Sequence, residues 1–202
     1  AGCLAERNDA VRVLVIYAHP VETSFHAAMH ARVVATLRKS GHEVDDCDLY
    51  AEKFNPVLSR EERLNYHDIS VNQRPVQSHV DRLKRAEALV FCFPVWCFGL
   101  PAILKGWFDR VLMPGVSFDI SDPAHVKPAL THLKKIVACT TYGRPHWMAF
   151  VMGDPPRKVI KRYLRVLTGG KARIEYHAHY HMNVATPEIM ERHMKTIERV
   201  QT

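Results

Sequence analysis

Apolar runs alternate with amphipathic stretches along the chain. VRVLVIYA (11–18) is β-branched and bounded by polar residues, which predicts a buried strand. Ser24 is a natural N-cap for FHAAMHARVVATLRKS, where Phe25, Ala28, Met29, Val33 and Leu37 keep helical spacing. Gly41 supplies a stop. EVDDCDL (43–49) is a more polar strand, suited to a sheet edge. A polar excursion over 55–75 holds a short helix after Ser59, and a second helix spans 76–86. ALVFCFP (88–94) is another buried strand. Pro101 opens a helix whose apolar stripe includes Ile103, Leu104, Trp107, Phe108, Val111 and Leu112, so both aromatic rings belong in the core.

The second half repeats this alternation. LKKIVACTTYG (133–143) is a strand ending in a small polar loop. GDPPRKVIKRYLRVLTGG carries Asp154 as the expected N-cap, prolines in its first turn and two glycines at its end. KARIEYHAHYHMN (171–183) alternates as a final strand, and Thr186 caps a closing helix. Strands alternating with helices imply parallel pairing, with crossovers covering both sheet faces. Five such units predict an α/β doubly wound sheet in the order 2-1-3-4-5, within one domain over 11–202 behind a flexible arm at 1–10.

Composition narrows the class. The 202 residues suffice for one full core, and a hydrophobic content of 47% excludes disorder. No run of 18 apolar residues occurs, so stable membrane insertion is not expected. No secretory pattern opens the sequence. Five scattered cysteines, without CxxC spacing, suit reduced thiols in a cytoplasmic protein and give no zinc motif. Cys92 and Cys97 read as small buried hydrophobes. The net charge of +7 comes without a long basic run or nucleic-acid motif, which points to anionic small molecules rather than nucleic acid.

In such a sheet, ligands bind beyond the carboxyl ends of the strands. Three loops arrive there: 19-HPVETSFH-26, 94-PVWCFGLP-101 and 140-TTYGRPHW-147. The first leads into a helix N-terminus, which favours a phosphate, and His19, Thr23, Ser24 and His26 add polar groups. Neither GxGxxG nor GxxxxGK[ST] is present. The second loop presents Trp96 and Phe98, and the third presents hydroxyls and amides. An anionic tail, a planar ring and its polar edge describe a flavin nucleotide. An ordinary capped, solvated loop, and aromatics packed under a neighbouring loop or a partner subunit, are the plainer alternatives.

AHPVETSFH, FPVWCFGLPAILKGWFDRV and TTYG together resemble the flavodoxin-like NAD(P)H:quinone oxidoreductases, over roughly residues 11–145. The resemblance implies a flavodoxin-like fold and a homodimer with flavin near the subunit interface. It implies two-electron transfer from NAD(P)H, through FAD or alternatively FMN, to a quinone. His19, Thr23, Ser24, Phe25 and His26 match the segment on the flavin's phosphate side. Pro94, Val95, Trp96, Cys97 and Phe98 match the loop along the ring, and Thr140, Thr141, Tyr142 and Gly143 match the family's TTGG. His26 replaces an Asn common in the family, Cys97 a Trp, and Tyr142 a glycine. The Tyr and His that help settle charge in mammalian members are not reproduced. Met152 falls near that His, and His146 or Trp147 near that Tyr. His146 and Tyr142 are therefore the candidate catalytic side chains, with the amides of 141–143 as stabilisers of negative charge.

Two other roles fit the same fold: a flavin-binding regulatory subunit of a membrane ion-efflux system, and a one-electron carrier. Such carriers are strongly acidic, unlike this chain. His177, His179 and His181 share one face of the predicted last strand, opposite two tyrosines. Without a placed fourth ligand they read as surface or interface rather than metal ligands.

Overall fold

The structure, a computed structural model, describes residues 10–122 and 125–198. The arm expected over 1–10 falls, apart from Ala10, outside the described residues. Five strands form one parallel sheet: β1 Arg12–Tyr17, β2 Glu43–Asp48, β3 Ala88–Val95, β6 Lys135–Tyr142 and β7 Arg173–His179, in the order β2-β1-β3-β6-β7. This is the predicted 2-1-3-4-5 winding. A separate two-stranded antiparallel hairpin, β4 Phe118–Asp119 and β5 Lys127–Pro128, was not expected.

Alternation along the strands sorts their side chains into two cores. Val13, Val15, Val90, Cys92, Val137 and Cys139 pack against α1 (Phe25–Lys39) and α8 (Pro187–Ile197). Leu14, Ile16, Leu89, Phe91, Ile136 and Ala138 face α3 (Gln77–Arg85) and α4 (Ala102–Val111). That second face also holds a helical stretch built from α6 (Pro155–Lys158), a π-helical segment Val159–Tyr163 and α7 (Leu164–Leu167). Trp107 and Phe108 lie in this core, 1% and 5% exposed, as the apolar stripe implied. Among the described residues, no helix is long and apolar enough to cross a membrane.

Local chemistry accounts for the boundaries. Ser24 caps α1 through its hydroxyl and the Ala27 amide at 3.1 Å, and Thr186 caps α8 in the same manner. Ser59 and Glu62 close a reciprocal capping box on α2 (Arg60–Leu64). Arg110, only 8% exposed, reaches from α4 to the Glu62 carboxylate at 2.7 Å, pinning the polar excursion onto the domain. Arg82 fastens α3 to the β2 edge by ion pairs to Asp45 and Glu52 at 2.7 and 2.8 Å.

Several boundaries differ from the sequence reading. Pro101 occupies the N-cap position of α4 instead of its first turn. A short helix, α5 (His146–Val151), precedes the glycine-aspartate turn where a loop was expected. Asp154 stands at the N-cap position of α6 but makes no cap there. It adopts a left-handed backbone with φ 45°, and its carboxylate instead accepts a hydrogen bond from the Tyr142 hydroxyl at 2.5 Å. The last strand stops at His179, since His181 takes φ 65° and begins a turn. The histidine row does not converge: His177 bonds Glu175, His179 packs against His193, and His181 has left the strand.

Gly106 marks where α4 touches the excursion. A Cβ there would lie 2.2 Å from the Pro56 carbonyl oxygen and 2.4 Å from the Pro56 Cβ. Gly106→Ala is expected to lower unfolding free energy by about 2–3 kcal/mol, despite alanine's better helix propensity. Urea denaturation of the two proteins measures the difference, and an unchanged midpoint contradicts this close approach.

Candidate functional site

The winding reverses between β1 and β3, so the carboxyl ends of β1, β3 and β6 frame a crevice. The segments after these strands meet there. His26, 4% exposed at the start of α1, places Nε2 2.8 Å from the Thr141 hydroxyl at the end of β6. Its other ring nitrogen, Nδ1, is buried and has no hydrogen-bond partner. Burial, reinforced by nearby His19 and His193, lowers the His26 pKa to about 3. The ring is therefore neutral near pH 7.

His19 stacks beside His26 at 5.8 Å and lies tilted against Trp96 at 5.7 Å. Its Nδ1 accepts the Val21 amide at 3.1 Å, which fixes the ring. Thr23 is exposed and Phe25 half-buried. The Ser24 hydroxyl is committed to its cap, but the first amides of α1, at Phe25 and His26, have no helical acceptor. This end of the crevice thus has amide donors, a fixed imidazole and a buried spare nitrogen.

The second loop is tightly made. Trp96 and Gly99 exchange backbone hydrogen bonds at 3.3 and 2.8 Å, and Cys97 and Phe98 between them adopt φ 49° and 56°. This has the form of a type I′ turn, which normally uses Asn or Gly. Two side-chain-bearing residues held left-handed store roughly 1–3 kcal/mol each. Trp96 is 41% exposed and Cys97 exposed, so Cys97 is not the buried hydrophobe expected. Cys92, deep in β3, is. Pro94 is buried and Val95 half-buried at the base of the turn.

The third segment divides its work. The Thr140 hydroxyl bonds the Phe93 carbonyl at 2.6 Å and serves the sheet, while Thr141 serves His26. Tyr142 is 2% exposed. Its hydroxyl donates to Asp154 and lies 2.7 Å from the Tyr176 hydroxyl, and its ring stacks on Tyr180 at 4.6 Å. Burial, with Tyr176 next, raises its pKa above the ordinary tyrosine value, so it stays protonated at neutral pH. Gly143 faces Asn183, whose side-chain oxygen would lie 2.8 Å from a Cβ at that position.

Val95, Cys97, Phe98, Tyr142, Gly143 and Arg144 line a slot of about 120 Å³. That is below the volume of a usual ligand pocket and admits the rim of a planar ring rather than its whole area. His146 lies elsewhere. It is exposed at the start of α5, meets the Tyr180 ring edge-on at 4.7 Å, and lines a separate cavity. The fold therefore gathers the two sequence-predicted binding loops and Thr141–Gly143, and leaves His146 apart. Asn183, Arg144, Tyr176 and Tyr180 border the site without having been read from the sequence. The tyrosines were legible as one strand face, but nothing local linked them to Tyr142.

A family model described as a flavodoxin-like fold matches residues 11–198, and the chain belongs to that family. NAD(P)H dehydrogenase (quinone) 1 of Rattus norvegicus is 36% identical over 148 residues, covering 65% of this chain and 54% of the rat protein. An uncharacterized NAD(P)H oxidoreductase of Haemophilus influenzae is 38% identical over 106 residues, 52% of each chain. The chain spans about half the length of these curated relatives. An NAD(P)H:quinone oxidoreductase from Methanothermobacter marburgensis superimposes with a TM-score of 0.81 at 24% identity, covering 94% of this chain and 96% of that one. An FMN-dependent NADH-azoreductase from Bacillus anthracis, in complex with FMN, gives 0.74 at 15%, covering 93% and 96%. At these identities the two structures establish likeness of fold.

The buried neutral histidines have a pH signature. His26 at about 3 and His193 at about 4 both sit below the ordinary histidine value, chiefly through burial. The unfolded chain takes up protons below about pH 6.5 and the folded chain does not, so stability is full above that value and falls as pH drops toward 4. From pH 6.5 to 5, each histidine is expected to cost up to about 2 kcal/mol. Urea midpoints measured across this range should fall, and His26→Asn should flatten the fall. A wild-type midpoint independent of pH contradicts the burial.

Proposed function

We propose that this member of the flavodoxin-like fold family is a flavin-dependent NAD(P)H oxidoreductase that reduces quinones or related acceptors. The observation that carries the reading is the meeting of His26, Thr141 and the strained 96–99 turn at the crevice. The names of the rat and Haemophilus relatives support the same activity. The donor set suits a flavin: the orphaned His26 nitrogen and the α1 amides suit its phosphate side, and the Cys97–Gly143 slot suits one ring edge.

When bound, a flavin supplies hydride acceptance from NAD(P)H and onward two-electron delivery. The residues around it do the positioning. His26 and the α1 amides would hold the anionic end. Trp96 and Phe98 would lie along the ring, and the 142–143 amides would bind its polar edge and stabilise negative charge there. Tyr142 acts from behind, since its hydroxyl is bound to Asp154 and Tyr176. It fixes the backbone of 142–143 rather than exchanging a proton with substrate. His146 contacts the neighbouring cavity and has no direct role in this arrangement.

FAD is the form expected from the resemblance and FMN the alternative, with the FMN-bound azoreductase supporting a test of both. The buried free thiols Cys47, Cys92 and Cys139 suit the reducing cytoplasm. A homodimer also fits. The slot covers only part of a ring, and Trp147, Val151 and Met152 form an adjoining apolar surface, 61, 70 and 53% exposed. Light scattering should give twice the chain mass, and Trp147→Glu with Val151→Glu should shift the protein to monomer. A monomeric wild type removes the dimer.

The redox reading is tested by cofactor extraction and rapid mixing. Purified or reconstituted protein should release a flavin of defined mass. NADH or NADPH should bleach its absorbance within the mixing experiment, and quinone should restore it. A protein that takes up neither FAD nor FMN at micromolar concentration contradicts this function.

A further inference from the structure

A second cavity lies behind the Tyr142–Tyr180 stack. It measures about 480 Å³, within the range of small-molecule sites. Arg157, Lys158, Lys161, Arg162, His146 and Phe150 line it, with Gly153 and Asp154 at the turn below. Four of these side chains are permanent cations at neutral pH. Asp154 is committed to the Tyr142 hydroxyl. Among the described residues, ion pairs occur at thirteen places and none includes these four cations.

The helix is shaped to concentrate the charge. Positions 157 and 161, and 158 and 162, are neighbours one turn apart, so like charges stand together. The π-helical segment Val159–Tyr163 passes through the cluster, and such segments recur at functional sites. Gly153, at φ 78°, leaves room for the Lys158 ammonium, which would lie 3.2 Å from a Cβ there. Arg157 is held from behind: its guanidinium lies 5.3 Å from the centre of the Tyr176 ring, and it donates to the Tyr180 hydroxyl at 3.5 Å. Repelling cations kept together around a concave space are stabilised by an anion.

We propose that this cavity binds the phosphomonoester of a phosphorylated nicotinamide coenzyme, so that the protein prefers NADPH to NADH. Three features select a nucleotide over a simple ion. The cavity exceeds the size of phosphate alone. The Phe150 and His146 rings stand beside the cations as stacking partners for a base. The cavity also neighbours the crevice where the nicotinamide must react, since Asp154 in its lining holds the hydroxyl of Tyr142, which lines the slot. A guanidinium or ammonium pair on a 2′-phosphate is an established chemical means of telling the two coenzymes apart.

The inference rests on the oxidoreductase reading, and two arms separate them. In the first, calorimetry on the purified chain compares adenosine 2′,5′-bisphosphate with adenosine 5′-monophosphate. The bisphosphate should bind at least tenfold more tightly. The double variant Lys161→Glu/Arg162→Glu, with an unchanged circular dichroism spectrum, should lose that advantage. In the second, reduction of bound flavin is followed with each coenzyme over a concentration series. NADPH should half-saturate at a concentration at least tenfold lower, and the ratio should approach one in the variant. Equal binding of the two adenosine nucleotides overturns the site. So does coenzyme preference unmoved by the double variant, or phosphate binding without any coenzyme preference. If neither coenzyme reduces the flavin, the oxidoreductase reading falls, and the calorimetric comparison decides the anion site by itself.

Discussion

A parallel sheet covered on both faces leaves only its strand ends open to solvent. That constraint governs this molecule. With α1 and α8 on one face and α3, α4 and the 155–167 helical stretch on the other, the sheet interior is committed to Val, Leu, Ile and Phe packing. Polar chemistry is displaced to the carboxyl edge, and the reversal of winding between β1 and β3 opens the crevice there. The hydrogen bond from His26 to Thr141 then spans the crevice floor and couples loops that are 115 residues apart. Burial keeps that imidazole neutral near pH 7.

The sequence carried the fold well because its signals were local. Runs such as VRVLVIYA and ALVFCFP, and caps at Ser24, Ser59 and Thr186, act through neighbours in the chain. The binding loops were legible for a related reason: strand order fixes where they must meet. Failures came where a distant partner took over. Asp154 has the identity and position of an N-cap, but the Tyr142 hydroxyl claims its carboxylate across the turn. Cys97 looked apolar in context, yet the Trp96–Gly99 turn lifts it into solvent. No local pattern could have placed Asn183 over Gly143 or joined the Tyr142 hydroxyl to Asp154 and Tyr176.

These departures share a physical theme. The crevice tolerates two left-handed residues, a crowded glycine and a buried unpaired nitrogen, each unfavourable alone. The tyrosine group behind it is fully hydrogen-bonded and packed, and supplies the rigidity that holds such features in place. Strain at the binding edge and order behind it are complementary parts of one arrangement.

The β2 edge has a different consequence. An outer strand presents unpaired backbone groups that can recruit another chain and seed fibrils. Here that strand reads Glu43-Val44-Asp45-Asp46-Cys47-Asp48, so a second copy docking in register would bring carboxylates against carboxylates. Within its own molecule Arg82 pairs with Asp45, His30 bonds Asp46 at 2.7 Å, and Asp48 accepts the Tyr50 and Ala51 amides at 3.0 Å. The β2 edge is thereby guarded against in-register pairing with a second copy of itself.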